Sequence, residues 1–464
     1  MIAEIRHDTQ ANIRVYTDLK ILNTLYAYFT FSVPNAWAIR RRTGFQGPIL
    51  KSFFRVLKSR EKGYYGECRI GLLDPVKRCL KASGVIHIQD NTGLLPPNLN
   101  VGGFEGLRDY QEKSVELFKK AHSLGFVAAT NAGKTQIMAA LCHAYRDKRI
   151  LYICDRTQLV EQTRDAFIEL LKEDVGIFYG AKKDLSGRVV CGTSTSLWRS
   201  KELFKPSEFG MIFLDECHSI PPNAKRMLSR LSGAHVYEFT GTMPKRCKEP
   251  IRRYEIISWV GGLLDLKITN KYMIKKGYSA DLDCFIIPVF ERPKDPRSRA
   301  GDTYAWSMVS NEVRNNKIAL AAALTAPNTI VVVNRLSHAE NLYKMISDIG
   351  VPCAIATGSN SIKERKEILG KLENGDIGVL ICTNIFDRGL NMPFVRTVVN
   401  AAGGSSSINL LQRVGRGLRK KGAYNRLRLV EFWDGFDAKA KSNSILRLED
   451  LKDDFRLRKL KISP

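Results

Sequence analysis

The sequence has few acidic residues for its number of basic ones, and it has no long apolar run. Its 464 residues include 47 aspartates and glutamates against 73 lysines and arginines, a net charge of +26 at pH 7. No segment approaches the roughly 18 consecutive apolar residues of a membrane-spanning helix, and the N-terminal MIAEIRHDTQ lacks the basic-then-apolar order of a signal peptide. We therefore expect a cytoplasmic protein without a membrane partner, and the positive charge predicts a polyanionic partner.

Paired cysteines are also missing. The ten cysteines are scattered along the chain, with no CxxC pair and no nearby histidine at the spacing of a zinc site. We expect reduced, mostly packed thiols and no structural zinc. Internal repeats and low-complexity tracts are absent too, and 44% hydrophobic residues supply enough apolar material for sizeable cores.

The chain is long enough for several domains, because single cores rarely grow beyond about 250–300 residues. The segment DNTGLLPPNLNVGG at 90–103 combines a proline pair with three glycines, which is typical of a linker. The first 95 residues include 15 basic and 7 acidic ones. We predict a basic accessory domain over 1–95, larger domains over 103–265 and 266–440, and a basic tail over 441–464.

Aromatic residues in the first domain have two interpretations. Their rings could stack on nucleic-acid bases, but alternating aromatics are more often the core of a strand, and we favour the core. The residues concerned are Tyr26, Tyr28, Phe29, Phe31 and Trp37.

From Leu107 onward, short apolar runs alternate with amphipathic helical patterns. This alternation is typical of a parallel sheet covered by helices on both faces. One set of predicted strands comprises 125–129, 150–154, 188–191, 211–214 and 236–240. A second set comprises 286–290, 329–333, 353–356, 379–382 and 397–400. The sequence thus predicts an α/β protein with two tandem doubly wound parallel sheets, preceded by a small basic α+β domain.

A Gly-Lys-Thr sequence follows the first predicted strand of the first set. The loop between GFVAA and the helical pattern QIMAALCHAY begins with Thr130, Asn131, Ala132, Gly133, Lys134 and Thr135. Such a loop points backbone N–H groups and a helix N-terminus at phosphate. We expect Gly133 to permit close approach, Lys134 to neutralise the β and γ phosphates, and Thr135 to hold Mg²⁺. The pattern departs from GxxxxGK[ST] because Ala128 stands where that motif has its first glycine. Taken alone, Gly-Lys-Thr could also be a chance sequence on a surface turn.

An acidic pair ends another predicted strand. The apolar run MIFL is followed by Asp215, Glu216, Cys217 and His218. In α/β sheets ligands bind at the carboxyl ends of the strands. Asp215 is suited to the Mg²⁺ shell and Glu216 to polarising an attacking water. Acidic pairs after strands also cap helices, but together with Gly-Lys-Thr this pair predicts a site for ATP and Mg²⁺.

The segments ATNAGKT and DECH resemble motifs of the superfamily 2 helicases, and further motifs of that family match in order between 107 and 419. LRDYQ resembles the adenine-recognising motif, in which Gln111 would bond the base and Arg108 would assist. Motifs that contact the nucleic-acid backbone are matched by Arg156, Thr157, Gln158, Thr193, Ser194 and Thr195. The motif that couples hydrolysis to lobe movement is matched by Thr240, Gly241 and Thr242. Taken singly, such hydroxyl residues are as well explained as helix caps.

The second predicted sheet carries further matches. QRVGRGLR at 412–419 resembles the motif QxxGRxxR, which implies that Arg416 and Arg419 contact the γ phosphate with Gln412 as a polar companion. The alternative is a solvated basic helix face. TNIFDRGLNMP at 383–393 resembles the motif linking nucleotide and nucleic acid, through Thr383, Arg388, Gly389 and Asn391. Asn391 stands where many relatives carry aspartate, with Asp387 as a possible substitute. Asn334, Arg335 and Gly358 are weaker matches to nucleic-acid contacts.

The motif sequences, including FTGTMP, NGDIGVLICTN and QRVGRGLRKK, resemble those of the XPB and UvsW branch more than those of the DEAD-box RNA helicases. The resemblance implies RecA-like lobes and a monomeric ATP-dependent DNA helicase or translocase, located in the host cytoplasm if a phage encodes it. With the basic first domain it further implies action on branched DNA, namely forks, displacement loops and Holliday junctions, in phage replication and recombination. Three alternatives stay open: an RNA helicase, a duplex translocase without strand separation, and a non-catalytic nucleic-acid-binding protein.

Overall fold

A computed structural model describes residues 2–7, 12–33, 50–59, 63–92, 103–129, 131–215, 220–231, 233–241, 250–264, 266, 268–293, 304–383, 392, 394–404 and 426–459. No helix in these ranges has the length and hydrophobicity that crossing a membrane would require. The chain divides into two compact units. The first consists of Met1–Ala128 and Gly133–Leu266, and the second of Ala129–Ala132 and Lys267–Pro464.

The N-terminal part of the first unit is a small α+β fold. Its strands are β1 (Ile2–His7), β2 (Asn12–Tyr16), β3 (Thr30–Ser32), β4 (Leu50–Ser52), β5 (Phe54–Ser59), β6 (Gly63–Arg69) and β7 (His87–Asn91), and its helices are α1 (Leu19–Tyr28) and α2 (Leu73–Ala82). Five strands form a sheet of order β5-β6-β2-β1-β7, and β3 pairs with β4. Ile13 and Val15 alternate with partly exposed residues along β2, so one face of the sheet packs on the helices.

The rest of the first unit is a large sheet with helices. Its strands are β8 (Ser123–Val127), β9 (Arg149–Cys154), β10 (Val175–Tyr179), β11 (Lys182–Asp184), β12 (Val189–Thr193), β13 (Phe209–Asp215), β14 (His235–Thr240) and β15 (Gly262–Leu264). Its helices are α3 (Asp109–Phe118), α4 (Lys134–Ala144), α5 (Thr157–Leu171), α6 (Ser194–Arg199), α7 (Pro222–Arg230) and α8 (Pro250–Val260). The sheet order is β11-β10-β12-β9-β13-β14-β8-β15, and only β11 pairs antiparallel. The five strands predicted here are confirmed, and β10, β11 and β15 add to them.

The small N-terminal fold packs on helix α8 of the same unit. Gly71 lies so close to this helix that a Cβ atom there would be 2.2 Å from the carbonyl oxygen of Ile257. Phe29 is fully buried and meets the ring of Tyr254 edge-on, while Phe31 stacks on the same ring at 5.0 Å. Phe29 therefore belongs to the core, although it lies at the end of helix α1 and not in a strand, while Phe31 lies in strand β3 and is half-buried. Tyr26 and Tyr28 are instead surface residues, 42% and 53% exposed, and Trp37 lies outside the described residues.

The second unit is built around another parallel sheet. Its strands are β16 (Asp281–Val289), β17 (Thr329–Val332), β18 (Cys353–Ala356), β19 (Val379–Cys382), β20 (Thr397–Asn400), β21 (Arg426–Asp434) and β22 (Arg456–Lys459). Its helices are α9 (Asn270–Lys275), α10 (Glu312–Leu324), α11 (Leu336–Asp348), α12 (Ile362–Asn374) and α13 (Ala438–Asp454), with a π-turn at Ala305–Val309. The order is β18-β19-β17-β20-β21-β16-β22, and all these pairs are parallel. The second predicted set of strands is likewise confirmed.

The segment after residue 440 differs from the expected basic tail. Helix α13 continues to Asp454, and strand β22 then pairs with β16. Leu448, Leu451 and Phe455 pack into the core of the second sheet. The basic residues that suggested a tail alternate here with buried apolar residues, so this segment belongs to the fold as far as Lys459.

Two arginines and two carboxylates are buried beside strands β20 and β21. Arg314 Nε donates to Asp434 Oδ1 at 2.7 Å, and Arg447 Nε donates to Glu431 Oε2 at 3.3 Å. All four side chains are at most 1% exposed. Burial raises the pKa of Glu431, although the charge of Arg447 opposes the shift. The guanidinium groups also donate to backbone carbonyls, so each charge is neutralised or hydrogen bonded.

We expect Arg314→Met to destabilise the second unit by about 3–5 kcal/mol, because it leaves the Asp434 carboxylate buried with less compensation. The matched control is Arg426→Met, since Arg426 pairs with Asp283 at 3.2 Å but is half exposed. That change should cost at most about 1 kcal/mol. Urea unfolding followed by circular dichroism measures both, and equal midpoints for the two variants would contradict the stabilising role of the buried pair.

Candidate nucleotide site and nucleic-acid interface

The predicted site residues of the first unit follow the carboxyl ends of parallel strands. Because these strands run in one direction, their ends lie at the same edge of the sheet. Strands β8 and β13 are separated only by β14, so their ends are about 10 Å apart, two strand spacings. The Gly-Lys-Thr loop after β8 and Asp215 at the end of β13 are thereby brought to one place.

The loop before α4 has the backbone geometry of a phosphate cradle. Asn131 and Gly133 have φ angles of 72° and 71°, in the left-handed region. Helix α4 begins at Lys134, so Lys134 and Thr135 lie in its first turn, where N–H groups lack intrahelical partners. A Cβ atom at Gly133 would lie 2.2 Å from Gln111 Nε2. Both the φ angle and this contact require glycine.

Gln111 connects the predicted adenine motif to this loop. It is fully buried, and its Oε1 accepts a hydrogen bond at 2.8 Å from the backbone N–H of Arg108. Its Nε2 donates at 3.0 Å to Oε1 of Gln136, in the first turns of α4. Gln111 therefore caps α3 and braces the phosphate loop. The contact of Gln111 with a base stays a prediction. Gln136 was not among the predicted site residues, although its position two residues after Lys134 was a signal for it.

Asp215 is held by a hydroxyl from the neighbouring strand. Tyr152 on β9 donates to Asp215 Oδ2 at 2.8 Å, and Thr163 on α5 donates to the Tyr152 hydroxyl at 3.2 Å. Burial raises the pKa of Tyr152 well above its usual range, and the charge of Asp215 adds to the shift. Tyr152 is thus a permanent donor that orients the carboxylate. Sequence reasoning missed it, because a tyrosine within the apolar strand RILYIC is usually core.

Two oxygen groups at this edge suit Mg²⁺. Proteins commonly hold Mg²⁺ with one or two side-chain oxygens, the remaining ligands being phosphates and water. The Thr135 hydroxyl at the start of α4 and the Asp215 carboxylate, oriented by Tyr152, provide such a pair. Within the described ranges no cluster of three or more metal-ligating side chains occurs, and a site of this type does not need one. Glu216 and Thr130 lie outside the described residues.

The predicted nucleic-acid contacts of the first unit lie at the ends of β9 and β12. Thr193 caps α6 by accepting from the N–H of Ser196, and Ser194 donates to Asp155. The helix-cap interpretation is therefore confirmed for Thr193. Thr195 and Thr157 are exposed at this edge, with Arg156 and Gln158 half-buried beside them. Exposed hydroxyls and helix N-termini are the groups that contact phosphates without reading sequence.

The predicted coupling residues lie at the neighbouring strand end. Thr240 is buried, and its carbonyl accepts from the N–H of Ala128 at 3.1 Å, so β14 and the start of the phosphate loop are directly joined. Gly241 is half-buried, and Thr242 lies outside the described residues. A shift of the loop would be transmitted to β14 through this bond.

In the second unit, predicted contacts follow β17, β18 and β19. Asn334 donates to the carbonyl of Ala402 at 3.1 Å, and Arg335 lies over the ring of Tyr304 at 5.2 Å. Gly358 is exposed, and its carbonyl accepts from Arg365 at 2.9 Å. Thr383 donates its N–H to Ala356. The residues outside the described ranges are Arg388, Gly389, Asn391, Gln412, Arg416 and Arg419.

We expect Tyr152→Phe to raise the Mg²⁺ concentration for half-maximal ATP hydrolysis by about tenfold, because residues that orient metal ligands affect metal affinity to this extent. Tyr237→Phe is the matched control, since this buried hydroxyl on β14 donates to the carbonyls of Phe118 and Ala121, away from the site. A Mg²⁺ titration of ATPase activity compares the variants. An unchanged midpoint for Tyr152→Phe would show that Asp215 does not need this donor.

Two protein families match the chain in order. The type III restriction enzyme res subunit family (ResIII) matches residues 105–245, and the helicase conserved C-terminal domain matches residues 316–421. A "DNA 3'-5' helicase XPB" of Kineococcus radiotolerans is 23% identical over 69% of this chain and 58% of its own length. The "ATP-dependent DNA helicase uvsW" of Enterobacteria phage T4 is 27% identical over 67% of this chain and 64% of its own length.

The chain thus matches somewhat less than two thirds of the length of these relatives. Among solved structures, that of S. cerevisiae Dbp5 bound to RNA and ADP BeF3 has a TM-score of 0.54 and 16% identity, covering 77% of this chain and 90% of the other. This likeness concerns the fold, which is a pair of tandem RecA-like lobes. The two matched domains and these relatives make the chain similar to the superfamily 2 helicases of the XPB and UvsW branch.

Proposed function

We propose that the chain is an ATP-dependent DNA helicase or translocase that acts on branched DNA. The observation that carries this proposal is the placement of the Gly133–Thr135 loop and Asp215 at one edge of the first sheet, two strands apart. This is the arrangement that phosphoryl transfer from ATP requires, with a phosphate cradle and a carboxylate for the metal at a common edge. The matched domains supply the helicase context.

In the proposed reaction, each residue of the first lobe has a role. Lys134 neutralises the β and γ phosphates, Thr135 and Asp215 hold the metal, and Glu216 accepts the proton of the attacking water. Mg²⁺ held by Thr135 and Asp215 would supply positive charge that neutralises the phosphates. Tyr152 keeps the Asp215 carboxylate in one orientation throughout, because its own proton is retained.

The second lobe is proposed to supply the remaining positive charge. Arg416 and Arg419, with Gln412, would contact the γ phosphate and add charge stabilisation only in the nucleotide-bound state. Hydrolysis would release this contact, so the lobes would alternate between two arrangements and step along a strand. Thr383, Arg388 and Gly389, with Asn391, are proposed to link this change to the nucleic acid.

Branched DNA is proposed as the substrate on two grounds. The uvsW relative is named a DNA helicase, and the chain carries a basic N-terminal fold before the lobes. Such a fold can neutralise the phosphates of a second DNA arm, which a motor alone does not hold. An RNA helicase and a duplex translocase would use the same ATP chemistry. They differ from the proposed enzyme in the nucleic acid on which they act.

We expect Lys134→Ala and Glu216→Gln each to lower ATP hydrolysis by roughly 100-fold or more, because each removes a group that acts on the transferred phosphoryl group or its water. DNA binding in gel shifts should persist. Lys148→Ala is the control, an exposed lysine before strand β9, at the end of the strand away from the site. Full DNA-stimulated turnover by Glu216→Gln would exclude this residue as the base.

We also expect junction DNA to stimulate ATP hydrolysis more than single-stranded DNA or RNA of equal length, since only a junction offers two arms. Strand-displacement assays with fork, four-way and single-overhang substrates, with and without ATP, test this directly. Stimulation by RNA equal to that by DNA favours the RNA helicase. Stimulation by duplex DNA without strand displacement favours the duplex translocase.

A further inference from the structure

A basic groove lies on the first unit, and none of its lining residues belongs to the Gly-Lys-Thr loop. It has a volume of about 400 Å³, and eight residues line it. We call this surface the basic groove. Its lining residues are Arg69, Trp198, Lys201, Lys225, Arg226, Ser229, Arg230 and Trp259. Five of the eight lining residues are cations and none is a carboxylate, so the groove concentrates positive potential on one surface.

Tryptophan rings hold several of these cations in place. The guanidinium of Arg69, at the end of β6, lies over the ring of Trp259 at 4.1 Å and donates to the Ser229 hydroxyl at 3.4 Å. Lys201 and Arg226 lie 5.3 and 5.6 Å from the ring of Trp198. Cation–π contacts restrict these long side chains before any ligand arrives, so less conformational entropy is lost on binding.

Most of this charge is not neutralised by the protein. Lys225 pairs with Glu255 at 2.9 Å and Lys201 approaches Glu202 at 3.7 Å. Across the part of the chain that the structure describes, Arg69, Arg226 and Arg230 make no ion pair with a carboxylate. Burial lowers the pKa of Arg69 and the charge of Arg55 lowers it further, while the charge of Glu67 raises it. The negative charge of a bound anion would favour the charged guanidinium and so offset the lowering.

The groove is continuous with the proposed nucleic-acid contacts at the sheet edge. Arg226 Nη1 donates to Asn223 Oδ1 at 3.3 Å, and Asn223 Nδ2 donates to Thr195 Oγ1 at 3.3 Å. Thr195 lies in the first turn of helix α6, which also carries Trp198. One hydrogen-bonded path therefore leads from the matched nucleic-acid motif at Thr195 into the groove.

We propose that the basic groove binds the phosphodiester backbone of a DNA strand that continues beyond Thr195. Arginine forks match phosphate oxygens in geometry and charge, and the Trp rings act as platforms for the cations. Arg69 comes from the small N-terminal fold and the other groove residues from the large sheet region, so a strand held here would contact both parts of the first unit. This inference rests on the proposed function.

The test is equilibrium binding of fluorescein-labelled single-stranded DNA by anisotropy at several salt concentrations. The double variant Arg69→Ala/Arg226→Ala should bind roughly tenfold more weakly at low salt, and its slope of log K against log salt should fall by about 1.4, or about 0.7 for each phosphate that is no longer neutralised. The matched control is Arg146→Ala/Lys183→Ala, two exposed cations of the same unit, one of them over the Phe178 ring at 4.1 Å. The control should bind as the unchanged chain does.

Further measurements keep the outcome interpretable. Arg69→Lys/Arg226→Lys should retain the salt slope, since lysine also neutralises phosphate. The single variant Arg226→Ala changes only an exposed side chain, so it separates a loss of DNA binding from a loss of folding. The DNA concentration for half-maximal ATPase stimulation should rise roughly tenfold in the Arg69→Ala/Arg226→Ala variant, in line with its weaker binding.

Two results would overturn the groove assignment. One is a DNA affinity and a salt slope that are the same in Arg69→Ala/Arg226→Ala and in Arg226→Ala as in the unchanged chain. The other is binding of polyglutamate that the groove substitutions weaken, while the same substitutions leave DNA binding unchanged. That result would identify an acidic protein as the partner of the groove. Failure of the proposed function has a different signature, because DNA would then leave the ATPase of the unchanged chain unstimulated while the anisotropy results stand.

Discussion

The hydrogen-bonding demand of buried parallel strands is the constraint on which the rest of the structure depends. Strands such as β12 and β19 are buried along their whole length, so each backbone N–H and C=O must pair with a neighbouring strand. Parallel pairing then brings all carboxyl ends to one edge. For this reason the loop before Lys134 and the carboxylate of Asp215, 81 positions further along the chain, follow strands β8 and β13, which are separated by only one other strand.

Charged groups are tolerated inside the second unit because they are fully compensated. Arg314 donates to the carbonyl of Ala401 at 2.9 Å, and Arg447 donates to that of Gly404, so both fix the chain where β20 ends. The tyrosine hydroxyl of Tyr304 and the amide of Asn334 bond the intervening Ala402 carbonyl. The turn that follows β20 is thus anchored by two buried arginines, Arg314 and Arg447, and by the more accessible side chains of Tyr304 and Asn334.

The first unit combines a nucleotide site with a wider basic surface. Gln111, Gly133 and Tyr152 restrict the loop and the carboxylate that are proposed to act on ATP, and they do so through buried contacts that leave little freedom. The basic groove is different, because its cations rest on aromatic rings and remain accessible. Rigid support suits phosphoryl chemistry, whereas accessible charge suits a long polyanion that must move.

The sequence by itself determined the α/β class, the ten predicted strands, the glycine-dependent loop at Gly133 and the position of Asp215 at a strand end, because apolar runs of strand length and glycine-dependent loops are local patterns. It also indicated the core role of Phe29. The tertiary structure decided that the segment after 440 joins the second sheet, that Gln111 braces Gly133, and that Tyr152 orients Asp215. It also assembled the basic groove from residues between 69 and 259. These contacts join residues distant in sequence, and no local pattern encodes them, since each depends on strand order and on side-chain packing.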